Sequence, residues 1–197
     1  MALRYQLEGI AYRLRGRPSH GALPHALKRP ILRQYARDYH LRVLVETGTY
    51  LGDMMMAMAG AFDELHSIEL SELLYERARR RLAGKRNVYL HQGDSGVQLS
   101  GVLATIDRPT LFWLDAHYSG GGTAHGEIET PIETELRVVL THPVRGHVVL
   151  IDDARQFTNA NGYPSIKTVT EYVRQLRSDC IVRVESDIIR ITPEVRP

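Results

Sequence analysis

The stretch Val43-Leu-Val-Glu-Thr-Gly-Thr-Tyr-Leu-Gly52, followed by Ser67-Ile-Glu69, decides the fold of this chain. It predicts an apolar strand, a glycine turn, a helix and a second strand that ends in a carboxylate. Gly48 and Gly52 allow the backbone to turn sharply and to approach a ligand closely. Glu69 follows the turn by about twenty residues, the distance at which an acid can accept hydrogen bonds from ribose hydroxyls. A ribose-bearing cofactor is therefore the first hypothesis.

The glycine pattern itself indicates which cofactor to expect. It reads Glu46-x-Gly48-x-x-x-Gly52 rather than Gly-x-Gly-x-x-Gly, and Tyr50 lies between the two glycines. A bulky side chain in the turn opposes the close approach of a pyrophosphate, and Glu46 would repel phosphates while attracting an ammonium or sulfonium group. The pattern favours S-adenosylmethionine, which has both cations and no phosphate. An NAD-dependent oxidoreductase is the alternative from a different enzyme class.

Length and composition bound the remaining possibilities. The chain has 197 residues and is 43% hydrophobic, which is enough apolar sequence for one globular α/β domain with a sizeable core. Its formal net charge of +2 requires neither a nucleic-acid nor a membrane partner. The single cysteine, Cys180, excludes an intramolecular disulfide and is typical of a reducing compartment. No signal peptide and no apolar run of about 18 residues is visible, so we expect a cytoplasmic protein.

Residues 1–40 differ from the rest of the chain and are predicted to form an N-terminal arm or cap. Glycines and prolines interrupt any long helix in this part, namely Gly16, Pro18, Gly21, Pro24 and Pro30. A short helix over 31–39 would lead into the first core strand and leave residues 1 to about 27 as the arm. The arm could cover a substrate or the partner subunit of a homo-oligomer, and a poorly ordered terminus is the competing interpretation.

From residue 41 onward, short apolar runs alternate with helical patterns. Five runs are predicted to be strands of a parallel sheet: 41–46, 66–69, 88–91, 110–115 and 148–152. The fourth and fifth are nearly continuous in apolar residues, as expected of strands buried on both faces. Helices are predicted over 53–62, 71–82 and 165–177. The first helix contains Met54, Met55, Met56 and Met58, which we interpret as core packing.

The C-terminal end adds two strands. The β-rich runs 180–185 and 188–192 are joined by Ser186-Asp187, and a two-residue connection permits only antiparallel pairing. The predicted fold class is therefore α/β, with a Rossmann-like, doubly wound, mostly parallel seven-stranded sheet that ends in an antiparallel C-terminal hairpin.

Acidic residues lie at the end of every predicted core strand: Glu46, Glu69, Asp94, Asp115 and the pair Asp152-Asp153. An aspartate at such a position often caps the next helix, but carboxylates after five strands of one sheet indicate a ligand site. Asp115, Asp152 and Asp153 would repel one another without a cation. This predicts a hard, oxygen-binding ion such as Mg²⁺.

The residues around the fourth and fifth strands resemble a known family. Phe112-Trp-Leu-Asp115-Ala-His117-Tyr118 and Val149-Leu-Ile-Asp152-Asp153 are similar to motifs of the metal-dependent O-methyltransferases that act on sugars of macrolide and coumarin antibiotics. The glycine turn and the terminal hairpin likewise resemble the class I S-adenosylmethionine-dependent methyltransferases. The resemblance implies a methyltransferase domain over 41–197 that methylates a hydroxylated small molecule such as a sugar, with Mg²⁺ held by the three aspartates.

The same resemblance implies the cofactor contacts. The residues around the glycine turn would face the amino-acid end of S-adenosylmethionine, Glu69 its ribose, and Asp94-Ser95 the edge of its adenine. The predicted contact residues are Glu46, Thr47, Gly48, Tyr50, Gly52, Glu69, Asp94 and Ser95.

One position departs from the family pattern. Many members have a second aspartate two residues after Asp115, where this chain has His117. An imidazole titrates near pH 6.5 and can take the proton of an acceptor hydroxyl, so His117 is the predicted general base beside Asp115. A metal ligand or a structural histidine are the competing interpretations. His125, in a loop over 119–126 that contains four glycines and is predicted to be an active-site lid, is the second candidate base.

Two further groups of charged residues are interpreted as structural. Acids near a predicted helix start favour the helix dipole: Glu127, Glu129, Glu133 and Glu135. Basic residues of another helix are expected to form a solvated face: Arg77, Arg79, Arg80, Arg81, Lys85 and Arg86. A non-catalytic module that binds RNA through this face is the third hypothesis, and it would not need the acids at the strand ends.

Overall fold

The computed structural model describes residues 24–115, 130–160 and 162–194, and within them seven strands form one sheet. The strands are β1 Val43–Thr47, β2 Glu64–Glu69, β3 Val88–Gln92, β4 Thr110–Leu114, β5 Val148–Ile151, β6 Cys180–Glu185 and β7 Ile188–Pro193. Their order is β3-β2-β1-β4-β5-β7-β6; β1 to β5 pair in parallel, and β7 is antiparallel to both of its neighbours. The predicted sheet and its C-terminal hairpin are confirmed.

Helices cover both faces of the sheet. They are α1 His25–Asp38, α2 Asp53–Met58, α3 Glu72–Leu82, α4 Ser95–Leu103, α5 Ile132–Thr141 and α6 Ile166–Leu176, with a short 3-10 helix at Ala154–Gln156. Alternate residues of β1 point to opposite faces, so Val43 and Val45 pack in the core beneath α4, α5 and α6, whereas Leu44 packs beneath α1, α2 and α3. This two-sided burial is the doubly wound arrangement that the continuous apolar strands predict.

The first helix is longer than predicted, because α1 begins at His25 rather than at residue 31 and contains Pro30. Proline inside a helix removes a backbone hydrogen bond and disfavours helical continuation. Tertiary packing outweighs this local preference here, since Leu32 and Ala36 are buried against the sheet. The predicted helix over 53–62 is shorter, ending at Met58, but Met54, Met55 and Met58 are buried as predicted.

The hairpin between β6 and β7 turns at Ser186 and Asp187. Both residues have positive φ, 53° and 61°, as a two-residue type I′ turn requires. The turn returns β7 to the edge of β5, where Ile189 and Ile191 are buried in the core. No helix within the described ranges is both long and apolar enough to cross a membrane.

Two histidines form a hydrogen-bonded chain at the amino-terminal edge of the sheet. The N–H of Thr110 donates to Nδ1 of His147 over 3.2 Å, which places the proton of a neutral ring on Nε2. Nε2 of His147 lies 3.0 Å from Nδ1 of His142, and Nε2 of His142 lies 3.1 Å from the carbonyl oxygen of Leu103. Burial, together with His142 and Arg177, lowers the pKa of His147 from 6.5 to about 4.

Candidate active site

The glycine turn after β1 has the left-handed backbone that its sequence predicts. Gly48, Tyr50 and Gly52 have φ values of 87°, 50° and 73°. The N–H groups of Gly48 and Thr49 donate to the carbonyl oxygen of Ile68, over 2.9 and 3.2 Å, and so fix the turn to the end of β2. The left-handed conformation of Tyr50 has a steric cost, and the residue is 52% exposed.

Gly52 has a packing role that sequence reasoning did not identify. A Cβ built on this residue would lie 2.9 Å from Cδ1 of Leu82, so any other residue here would have to displace that side chain. Its φ of 73° independently favours glycine. Sequence reasoning assigned Gly52 to close approach of a ligand, and the structure adds the approach between two helices.

Glu69 connects the glycine turn to the end of β2. Its Oε2 accepts the N–H of Tyr50 over 2.7 Å, and its Oε1 accepts the N–H of Ser71 over 2.9 Å. Burial raises the pKa of Glu69, while these backbone donors act to lower it. Each carboxylate oxygen has a second lone pair, so Glu69 can still accept the ribose hydroxyls for which it was predicted.

Glu46 is a buried carboxyl group in the fourth position of β1, and it is 2% exposed. Oγ of Ser67 donates to its Oε2 over 2.5 Å, and Oγ1 of Thr49 lies 2.6 Å from the same hydroxyl. Burial raises the pKa of Glu46 well above its ordinary value; Asp115 and Glu69 raise it further, against the Ser67 hydrogen bond. The Glu46 carboxyl is therefore held toward its protonated form, and a bound cation would favour its ionised form.

Two of the other predicted contacts have well-defined backbone roles. Oδ1 of Asp94 accepts the N–H of Gly96 over 2.8 Å and thereby caps α4, which follows β3 directly in the site. Ser95 is the buried first residue of that helix. Thr47 joins two strand ends, since the N–H of Asp115 donates to its carbonyl oxygen over 3.0 Å and to its Oγ1 over 3.3 Å. The adenine contacts of Asp94 and Ser95 stay predictions.

Asp152 is paired with a residue that sequence reasoning missed. Nζ of Lys28, on α1, donates to Oδ2 of Asp152; Lys28 is 8% exposed and Asp152 is 1% exposed. Burial acts to lower the pKa of Lys28, but the carboxylates of Asp152, Asp115 and Asp153 outweigh it and raise this pKa above its ordinary value. A signal for Lys28 exists in the sequence, because its spacing of four from Leu32 puts it on the buried stripe of α1.

Asp153 is turned toward the hairpin rather than toward Asp152. Its backbone is left-handed, with φ of 56°, and its Oδ1 accepts a hydrogen bond from Nη1 of Arg155 over 2.6 Å. The same guanidinium also pairs with Asp187 in the β6–β7 turn. Within the described ranges, no group of three or more His, Cys, Asp or Glu side chains is arranged to hold a metal ion. Asp115 follows β4 and the pair Asp152-Asp153 follows β5, and their role as Mg²⁺ ligands stays a prediction.

Several predicted residues lie outside the part of the chain that the structure describes. These are His117, Tyr118, His125 and the glycine loop over 119–126, together with Glu127 and Glu129. Their assignments as base, lid and helix-start acids stay predictions.

The architecture is similar to that of solved methyltransferases, whereas no protein-family model and no curated protein sequence matches this chain. The O-methyltransferase TomG of Streptomyces achromogenes, solved in complex with S-adenosylmethionine, is 21% identical with a TM-score of 0.60, over 96% of this chain and 88% of that chain. An O-methyltransferase from Bacillus cereus in complex with S-adenosylhomocysteine is 16% identical with a TM-score of 0.57, over 97% of this chain and 89% of that chain. The S-adenosylhomocysteine-bound methyltransferase PaMTH1 of Podospora anserina is also 16% identical with a TM-score of 0.57, over 86% of this chain and 79% of that chain. The chain thus has the class I methyltransferase fold, as its strand order and terminal hairpin predict.

Proposed function

We propose that the protein is an S-adenosylmethionine-dependent O-methyltransferase that acts on a hydroxylated small molecule such as a sugar. The observation that carries the proposal is the buried acidic corner formed by Glu46, Glu69 and the glycine turn. Burial and neighbouring carboxylates make ionisation of Glu46 unfavourable in the free protein, and a cationic ligand would make it favourable. S-adenosylmethionine supplies an ammonium and a sulfonium group. Solved proteins of the same fold that bind S-adenosyl ligands support the same choice.

Four parts of the site are predicted to contact different groups of the cofactor. Glu46 and the backbone at Gly48 would receive the amino-acid end, and the free lone pairs of Glu69 would accept the ribose hydroxyls. Tyr50, which is exposed in the turn between Gly48 and Gly52, is assigned to the edge of the cofactor. Asp94 and Ser95, at the start of α4, would lie beside the adenine.

The two rival functions fit the described residues less well. A dinucleotide pyrophosphate would meet the carboxylate of Glu46 and the side chain of Tyr50 in place of a close glycine backbone. An RNA-binding helix needs free basic groups, but Arg79 of α3 is paired with Glu76, and Arg81 is paired with Asp53.

Proton removal from the acceptor is assigned to His117, two residues beyond Asp115, with His125 as the second candidate. The base would leave the oxygen nucleophilic and aligned with the sulfonium methyl group. Magnesium dependence stays a prediction from the sequence, and the pairing of Asp152 with Lys28 and of Asp153 with Arg155 argues against it.

Calorimetry with S-adenosylhomocysteine, S-adenosylmethionine and NAD tests the proposal without an acceptor. We expect micromolar binding of the S-adenosyl ligands and a loss of about 10- to 150-fold in Glu69→Ala, since charge-assisted hydrogen bonds to a buried ligand are removed. Glu72→Ala is the matched control, because Glu72 is an exposed acid three residues further along the chain. Binding of NAD with no heat from either S-adenosyl ligand would refute the proposal.

A further inference from the structure

Lys28 occupies an unusual place for a lysine. It lies on the core-facing stripe of α1, four residues before Leu32 and eight before Ala36, and all three are buried. Lysine is almost never buried unless it is paired, because removing an ammonium group from water is costly. A buried lysine on a helix that packs on the site edge therefore needs a partner there.

The surroundings of the Lys28 ammonium group are those of a cation site. Nζ donates to Oδ2 of Asp152, a carboxylate 124 residues away in the chain. It also lies 5.7 Å from the centroid of the Trp113 ring, within the range of a cation–π contact. Trp113 is in β4 and Asp152 follows β5, so one ammonium group joins two neighbouring strand ends.

The second oxygen of Asp152 increases the need of this buried carboxylate for a neighbouring positive charge. Its Oδ1 is buried and has no hydrogen-bond partner among the described residues. Within those ranges Lys28 supplies the ion pair and the side-chain hydrogen bond of this carboxylate, beside a backbone hydrogen bond from Asp153. The Asp153 side chain is paired separately, since its Oδ1 accepts a hydrogen bond from Arg155.

From this geometry we propose that Lys28 is the resident cation of the strand-end aspartates and takes the place that a divalent metal ion would otherwise hold on Asp152. Lys28 is then a positioning residue: it neutralises Asp152 and fixes α1 against β4 and β5. The consequence for catalysis rests on the proposed function: methyl transfer would proceed without a divalent ion at Asp152. The occupation of the cation position beside Asp152 by Lys28 is a property of the folded chain and is testable without an acceptor substrate.

Thermal unfolding of the full chain in MgCl₂ or EDTA tests the inference in four proteins: wild type, Lys28→Met, Asp152→Asn and the double variant. We expect wild type to melt at the same temperature in EDTA and in 10 mM MgCl₂ (about 0 °C difference). Lys28→Met should melt roughly 6–20 °C lower, as expected for breaking a buried ion pair in a chain of this size. It should then gain about 3 °C or more in MgCl₂, because Asp152 has lost its cation. The double variant should regain most of the lost melting temperature, and MgCl₂ should not change that temperature.

Lys167→Met is the control for loss of a lysine charge, since the Lys167 side chain is 84% exposed and its melting temperature should not change. A wild-type response to MgCl₂ that Asp152→Asn removes would overturn the inference, as would a Lys28→Met protein that stays indifferent to MgCl₂. If Lys28→Met does not fold, Mn²⁺ binding followed by electron paramagnetic resonance decides between wild type and Asp152→Asn. No Mn²⁺ bound by either supports the inference, and Mn²⁺ bound by wild type alone overturns it. Failure of S-adenosylhomocysteine to bind the same samples would count against the proposed function only.

Discussion

Acid should destabilise this fold through His147, and the size of the effect follows from its hydrogen bonds. The Thr110 N–H donates to Nδ1 of His147, so a proton added to Nδ1 would face another donor. The pKa of His147 is lowered from 6.5 to about 4 by burial first, then by His142 and Arg177. Stability from the neutral ring is complete above the unfolded-state pKa and declines as the pH falls toward the folded-state pKa. The loss is about 2 kcal/mol at pH 5 and about 3 kcal/mol at pH 4.

A non-titrating variant isolates this contribution. His147→Asn keeps an acceptor near the position of Nδ1 and removes the titration, whereas every other ionisable group is common to both proteins. Urea unfolding followed by circular dichroism should show that wild type loses about 2 kcal/mol more than the variant between pH 7.5 and pH 5. Curves that stay parallel across this range would show that the ring is not held neutral, and the reasoning from the Thr110 donor would be wrong.

Two further substitutions test the glycine turn and the predicted base. Gly52→Ala should destabilise the fold by about 1–3 kcal/mol, because φ is 73° and the new Cβ would lie 2.9 Å from Leu82; Gly101→Ala, in α4 with nothing within 4 Å, should be neutral or stabilising in the same urea titration. His117→Ala should lower turnover by about 10²–10⁴-fold and leave the affinity for S-adenosylmethionine nearly unchanged, and wild-type turnover should rise with pH through an apparent pKa between about 6 and 8. Unchanged turnover would move the base to His125, and a changed cofactor affinity would show that His117 belongs to the cofactor site.

The sheet was predictable because its signals are local. β1, β4 and β5 are short runs rich in apolar residues, and Ser186-Asp187 is too short a link for anything but an antiparallel return. The acids fall at the carboxyl edge for the same reason, since they directly follow or end those runs. Local patterns also identified Glu69 and the glycine turn, but not the hydrogen bonds by which Glu69 accepts the N–H of Tyr50 in that turn and the N–H of Ser71 before α3.

The part that escaped prediction depends on contacts between distant segments. Lys28 was assigned to the arm because Pro30 argued against a helix, and its partner Asp152 lies 124 residues away. Asp153 was expected beside Asp152, but a left-handed backbone and the Arg155 bridge to the hairpin turn it aside. The Lys28–Asp152 and Arg155–Asp187 pairs join residues 124 and 32 positions apart, which no local pattern encodes. The metal prediction therefore considered the aspartates and not the cations beside them.

Proton release on binding shows whether the buried acidic corner at Glu46 receives a cationic cofactor. Burial and neighbouring carboxylates raise the pKa of Glu46 well above its ordinary value, so a bound ammonium or sulfonium group should displace its proton. Titrations of S-adenosylmethionine in buffers of different ionisation enthalpy should show release that approaches about one proton as the pH falls below that pKa, and none in Glu46→Gln. Absence of binding, or equal proton release from wild type and Glu46→Gln, would show that Glu46 does not receive the cationic group of the cofactor.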